Sequence, residues 1–78
     1  MLDADALRQR REEIGDLIHQ RRLACGLTLE DVGRAAGYPA RTAQAMLTRI
    51  EQGRRALTAE RIRGVAELLS LPVALLVP

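Results

Sequence analysis

The chain has no Phe, no Trp and no Lys, and among its 78 residues there is one Tyr, one Cys and one His. Each shortage removes a class of function. With Tyr38 as the only aromatic side chain, the stacking platforms that single-stranded RNA or DNA requires are missing. With Cys25 alone, no intrachain disulfide can form, which fits a reducing cytosol. Cys25 and His19 together supply too few ligands for a metal centre, and no Ser nucleophile stands beside His19. The carboxylates are scattered or lie within reach of Arg, so neither an enzyme nor a metal or small-molecule cofactor is expected. The apolar run 71–77 falls far short of the ~20 residues that cross a bilayer, and the acidic start Met1 to Asp5 does not read as a signal peptide. The expected setting is soluble and cytoplasmic.

What is present is helical. Apolar residues recur at helical spacing, and no stretch alternates with period two, repeats or becomes low in complexity. A chain of this length makes one small domain, which buries about 60% of its unfolded surface and gains from dimerisation. The expected fold class is all-α: five helices, four of them around one core of Leu, Ile, Val, Met and Ala. Residues 1–13 read as an N-terminal helical extension and residues 14–78 as the main domain. The net charge is +2, but it is unevenly spread. Residues 1–40 carry six Arg and seven acids, whereas residues 41–63 carry six Arg and two acids. The positive charge is therefore concentrated on one central stretch, an electrostatic footprint for a polyanion. The use of Arg alone fits bidentate recognition, and codon bias in a G+C-rich genome explains it equally well.

In the opening segment, the basic cluster at Arg8, Arg10 and Arg11 is largely self-neutralised, Arg8 pairing with Glu12 and Arg10 with Glu13. Ile14, Leu17, Ile18 and Cys25 share the inward face of the first helix. Gly15 is a candidate break or kink, Gly26 a left-handed cap, and His19 faces outward. Thr28 and Asp31 form a capping box for a short helix, with Leu27 and Val32 as its hydrophobic staple. In that helix Leu29, Val32 and Ala36 face inward, and Gly33 marks a close helix crossing. Gly37 ends it. Tyr38 either packs over the core edge or hydrogen-bonds a phosphate; packing is the reading adopted. A further helix begins near Pro39 or Ala40. Beyond it, Thr58 caps a helix whose inward face is Ile62, Val65, Ala66 and Leu69, and Pro72 opens a last short helix.

The central helix carries the functional expectation. Ala43, Met46, Leu47 and Ile50 form one apolar stripe, which leaves Arg41, Gln44, Ala45, Thr48, Arg49 and Gln52 on the opposite face. Arg can bond guanine bidentately, Gln can bond adenine, and Thr offers a hydroxyl and a methyl, so this face suits a DNA major groove. A capped two-turn helix, a glycine and a longer helix with a polar outer face spell helix-turn-helix.

These residues resemble the lambda-repressor-like, or Xre-type, helix-turn-helix regulators of bacteria and phages. The resemblance covers Ile14 to about Val77. It rests on Ile18-x-x-x-Arg22, on Gly26-Leu27-Thr28-Leu29-Glu30-Asp31-Val32, on the turn Gly37, and on Arg49-Ile50-Glu51-Gln52-Gly53-Arg54-Arg55. Leu57-Thr58 and Leu68-Leu69-Ser70-Leu71-Pro72-Val73 complete it. It implies an inward ion pair between Arg22 and Glu51. It also implies phosphate contacts from Gln52, Arg54 and Arg55 and from the amides of Thr28, Leu29 and Glu30. Counting back from Glu51 places Gln44, Ala45 and Arg49 at base-contact positions; Arg41 and Thr48 join them by helical geometry alone. Gly37 and Glu51 stand about four residues further apart than in the family pattern, an insertion of roughly one helical turn. It either lengthens the central helix at its amino end or enlarges the turn. A second departure is Gly33, where most relatives have Ala.

The expectation is a sequence-specific duplex-DNA-binding regulator, a repressor acting as a homodimer on an inverted repeat. Leu71, Val73, Leu75, Leu76 and Val77 are the dimer-interface candidates, unless the tail merely covers its own domain. The alternative is a protein-interaction module, antitoxin-like or scaffold, whose partner is another protein and whose DNA binding is secondary or absent.

Overall fold

A computed structural model describes residues 3–78. Among them it contains four α-helices and one 3-10 helix and no strand: α1 (Ala4–Ala24), α2 (Leu29–Ala35), α3 (Ala40–Glu51), α4 (Ala59–Leu69) and the 3-10 turn Val73–Leu76. The all-helical expectation holds, but the count of five does not, because the last element is not an α-helix. Its bond from the Leu75 N–H to the Pro72 carbonyl spans three residues, and four residues are too few to repay an α-helical nucleus.

α1 runs unbroken for 21 residues, so Gly15 neither breaks nor kinks it. A Cβ at Gly15 would lie 2.5 Å from the carbonyl oxygens of Ile50 and Glu51. Glycine is there so that α1 can lie against the end of α3, and packing outweighs its poor helix propensity. Asp3 caps the start, accepting the Ala6 N–H at 2.8 Å. Cys25 corrects a second expectation: it is exposed, because the helix ends at Ala24 and Cys25 falls in the turn that leads to Gly26.

α2 has the expected reciprocal box: the Asp31 N–H donates to Thr28 Oγ1 at 3.0 Å, and the Thr28 N–H to Asp31 Oδ2 at 2.9 Å. The bond from the Thr28 amide, and after it one from the Thr28 hydroxyl, holds the Asp31 carboxyl below its ordinary range. α2 crosses α3 closely. A Cβ at Gly33 would collide with the Ala43 carbonyl, and that is why Ala is not used here.

The core is Ile14, Ile18, Val32, Ala36, Ala43, Leu47, Ile50, Leu57, Ile62, Val65, Ala66, Leu69 and Leu76, with Tyr38 at its edge. Leu17, Leu27, Leu29, Met46 and Leu71 are partly buried against it. Burying one such aliphatic side chain contributes about 1.5–3 kcal/mol, so this cluster supplies most of what holds four short helices together. Ser70 ends α4 in the left-handed conformation, at φ 55°.

Candidate nucleic-acid interface

α3 is anchored by its inner stripe: Ala43, Leu47 and Ile50 are buried and Met46 is partly so. The opposite side is thereby forced outward, and Arg41, Gln44, Ala45, Arg49 and Gln52 are exposed while Thr48 is half-buried. Together with Arg54 they line one shallow groove of ≈ 430 Å³. The wide Gly37–Glu51 spacing is taken up by the helix itself. α3 begins at Ala40, directly after Gly37, Tyr38 and Pro39, and runs to Glu51, so the extra turn lengthens the helix at its amino end. The added turn is the one that carries Arg41.

Thr48 is less free than its residue type implies. Its hydroxyl donates to the Gln44 carbonyl one turn back, at 2.8 Å, which leaves a lone pair and the methyl to face outward. Arg49 rests against Met46, with Nη1 3.8 Å from Sδ.

Three of the six arginines before α3 pair with carboxylates: Arg8 with Asp5 at 3.4 Å and Glu12 at 4.0 Å, Arg10 with Glu13 at 3.5 Å, and Arg22 with Glu51 at 2.6 Å. Among the described residues no carboxylate pairs with Arg41, Arg49, Arg54, Arg55, Arg61 or Arg63. Six guanidiniums on and after α3 are thus left unneutralised by the protein. Glu60, in the first turn of α4, has its carboxyl lowered by its own amide and by the Thr58 side chain.

An ion pair lines a neighbouring groove, which shares Thr48 and Gln52 with the groove on α3. Arg22 Nε donates to Glu51 Oε2 at 2.6 Å and Nη2 to Oε1 at 3.1 Å, with the two side chains 10% and 8% exposed. Arg22 Nη1 also donates to the Leu27 carbonyl at 3.1 Å, so one guanidinium joins α1, the α1–α2 turn and the end of α3. The Glu51 hydrogen bond raises the Arg22 pKa further, opposed by partial desolvation.

Four contacts, made by three side chains of α1, were not anticipated from the residue pattern. His19 Nδ1 lies 2.7 Å from Glu51 Oε1, so His19 joins the pair rather than facing solvent alone; its i, i+3 spacing from Arg22 was the available signal. Arg10 donates to the Val77 carbonyl at 3.1 Å and to the Leu75 carbonyl at 3.3 Å, and Arg11 to the Gly53 carbonyl at 3.4 Å. The basic cluster of α1 is therefore used to hold the tail and the loop after α3. Nothing in the sequence marked these long-range partners.

Of the amides expected to face phosphate, Thr28 is already committed to Asp31, which leaves those of Leu29 and Glu30. Of the apolar tail, Leu76 is fully buried in its own domain and cannot belong to a dimer surface. The 3-10 turn points it into the core. Leu71 is partly buried there as well, whereas Val73, Leu75 and Val77 are 44–47% exposed.

A short capped helix, a tight turn and a longer helix whose charged face looks outward constitute a helix-turn-helix. A helix-turn-helix family model, HTH_3, matches residues 18–76. The chain belongs to this lambda-repressor-like, Xre-type family of DNA-binding transcription regulators. Comparisons with curated proteins and with solved structures give no significant match. Among the described residues no helix is long and apolar enough to cross a membrane, and no group of three or more side chains could hold a metal ion.

Proposed function

We propose that the protein is a sequence-specific duplex-DNA-binding repressor that works in the cytoplasm as a homodimer on an inverted repeat. The observation that carries this reading is the division of α3. Its inner stripe is locked into the core while Arg41, Gln44, Ala45 and Arg49 stand exposed beside unneutralised Arg54 and Arg55. From Arg41 to Arg49 the helix rises ~12 Å at ~1.5 Å per residue, enough to pass three or four base pairs of ~3.4 Å rise.

Arg41, Gln44 and Arg49 are assigned to base edges by hydrogen bonding. Ala45 and the Thr48 methyl are assigned to thymine methyl groups. Gln52, Arg54 and Arg55 take backbone phosphates on one side of the groove, and the amides of Leu29 and Glu30 take them on the other. Residues 14–78 form the binding domain, and the segment before it is an extension whose Arg10 and Arg11 brace it. A single module of this size covers little DNA, so two copies joined through Val73, Leu75 and Val77 would read half-sites ~34 Å apart.

Selection of a randomised duplex library on the purified protein tests the proposal. A recovered palindrome with one helical turn between half-sites is expected. Recovery of no preferred sequence overturns it, in favour of a module that grips another protein.

A further inference from the structure

Tyr38, the sole aromatic residue, lies just before α3 and is 7% exposed. Its ring is fixed from one face by Arg61, whose guanidinium carbon is 3.9 Å from the ring centroid, a close cation–π contact. Arg61 is itself held by a bond from Nη1 to the Ala36 carbonyl at 3.0 Å. The phenol oxygen accepts a hydrogen bond from Arg55 Nε at 3.2 Å. Accepting that bond leaves the phenol's own O–H to donate, and among the described residues no side chain or carbonyl receives it. The same bond orients the Arg55 guanidinium, whose Nη groups also meet no carboxylate among the described residues. The Arg55 Nη group beside Nε and the Tyr38 O–H therefore lie next to each other, with no acceptor among the described residues.

We infer that Tyr38 and Arg55 together form one phosphodiester-binding site. The Arg55 Nη group beside Nε and the Tyr38 O–H donate to one backbone phosphate, and Arg61 is the positioning residue that holds the ring. This rests on the proposed DNA binding and goes beyond it. It makes Tyr38 a ligand residue as well as edge packing, and it ties the phosphate clamp after α3 to the lengthened start of the same helix. An anion of one charge suits the site, because an arginine already bound at Nε still offers the adjacent Nη to a phosphate oxygen.

The test uses the full chain and a mixed-sequence DNA duplex of about 30 base pairs, because phosphate contacts are independent of sequence. Tyr38→Phe keeps the ring and the Arg61 contact and deletes only the hydroxyl. Affinity should fall by roughly three- to tenfold, the worth of one hydrogen bond, while the melting temperature falls by no more than about 8 °C, since the bond from Arg55 is lost as well. The salt slope should also stay unchanged, since no charge is lost, whereas Arg55→Ala flattens it by about one unit. In the Arg55→Ala background, Tyr38→Phe should cost clearly less than it does alone. Wild-type affinity in Tyr38→Phe, or an equal penalty in both backgrounds, overturns this site while leaving DNA binding intact. Failure of the wild-type chain to bind the duplex overturns both.

Discussion

Replacing Glu51 with Ala leaves the buried Arg22 guanidinium with its counter-charge gone. Arg22 currently makes two bonds to Glu51, at 2.6 and 3.1 Å, and keeps a third to the Leu27 carbonyl. Breaking a buried pair by removing one partner costs about 3–5 kcal/mol. Here the low end applies, because the Leu27 bond survives and the pair borders a groove lined by Asp16, His19, Leu29, Thr48 and Gln52 that water can enter. A domain of this size has about 4–12 kcal/mol of stability in all, so a loss of about 3 is a large share. At about 4–8 °C per kcal/mol, the melting temperature of Glu51→Ala should fall by about 12–24 °C in a circular-dichroism melt. Replacing both partners, as Arg22→Met with Glu51→Leu, should recover much of that loss, because the cost lies in the stranded charge. A drop of less than about 4 °C for Glu51→Ala, or a double variant as unstable as the single one, refutes the reasoning.

Two further outcomes are expected. Gly15→Ala raises helix propensity yet should destabilise by about 1–3 kcal/mol in urea unfolding, because the new methyl meets the Ile50 and Glu51 carbonyls at 2.5 Å; a gain in stability contradicts the close α1–α3 approach. Asp31→Asn should melt lower than wild type at neutral pH, and the gap should close in acid. The folded carboxyl is depressed, so its contribution is complete above the ordinary value of about 3.9 and is lost as pH falls through the lower folded value; a gap that persists in acid contradicts the assignment.

Much of this was legible in the residues because the signals were local. The box at Thr28 and Asp31 needs only four residues, and the stripe at Ala43, Leu47 and Ile50 needs one helical period. The core faces of α4 follow from the same period. What escaped depended on partners far along the chain. Gly15 reads as a helix breaker until the α3 carbonyls that abut it are known. Cys25 falls on the inward face only if α1 continues one residue beyond Ala24. Leu76 is indistinguishable from Leu75 and Val77 in so short a run, and only the 3-10 turn selects it for the core. The insertion before Glu51 had two equivalent placements, and the burial of Ala43 beneath Gly33 decides for the longer helix.

The most direct test of the central claim is the affinity for duplex DNA measured across a range of salt concentrations. Binding should weaken steeply with salt, with a log–log slope of about −0.9 per phosphate neutralised, and the slope should flatten in Arg54→Ala and Arg55→Ala. Absence of binding, or binding indifferent to salt and to both substitutions, would contradict it.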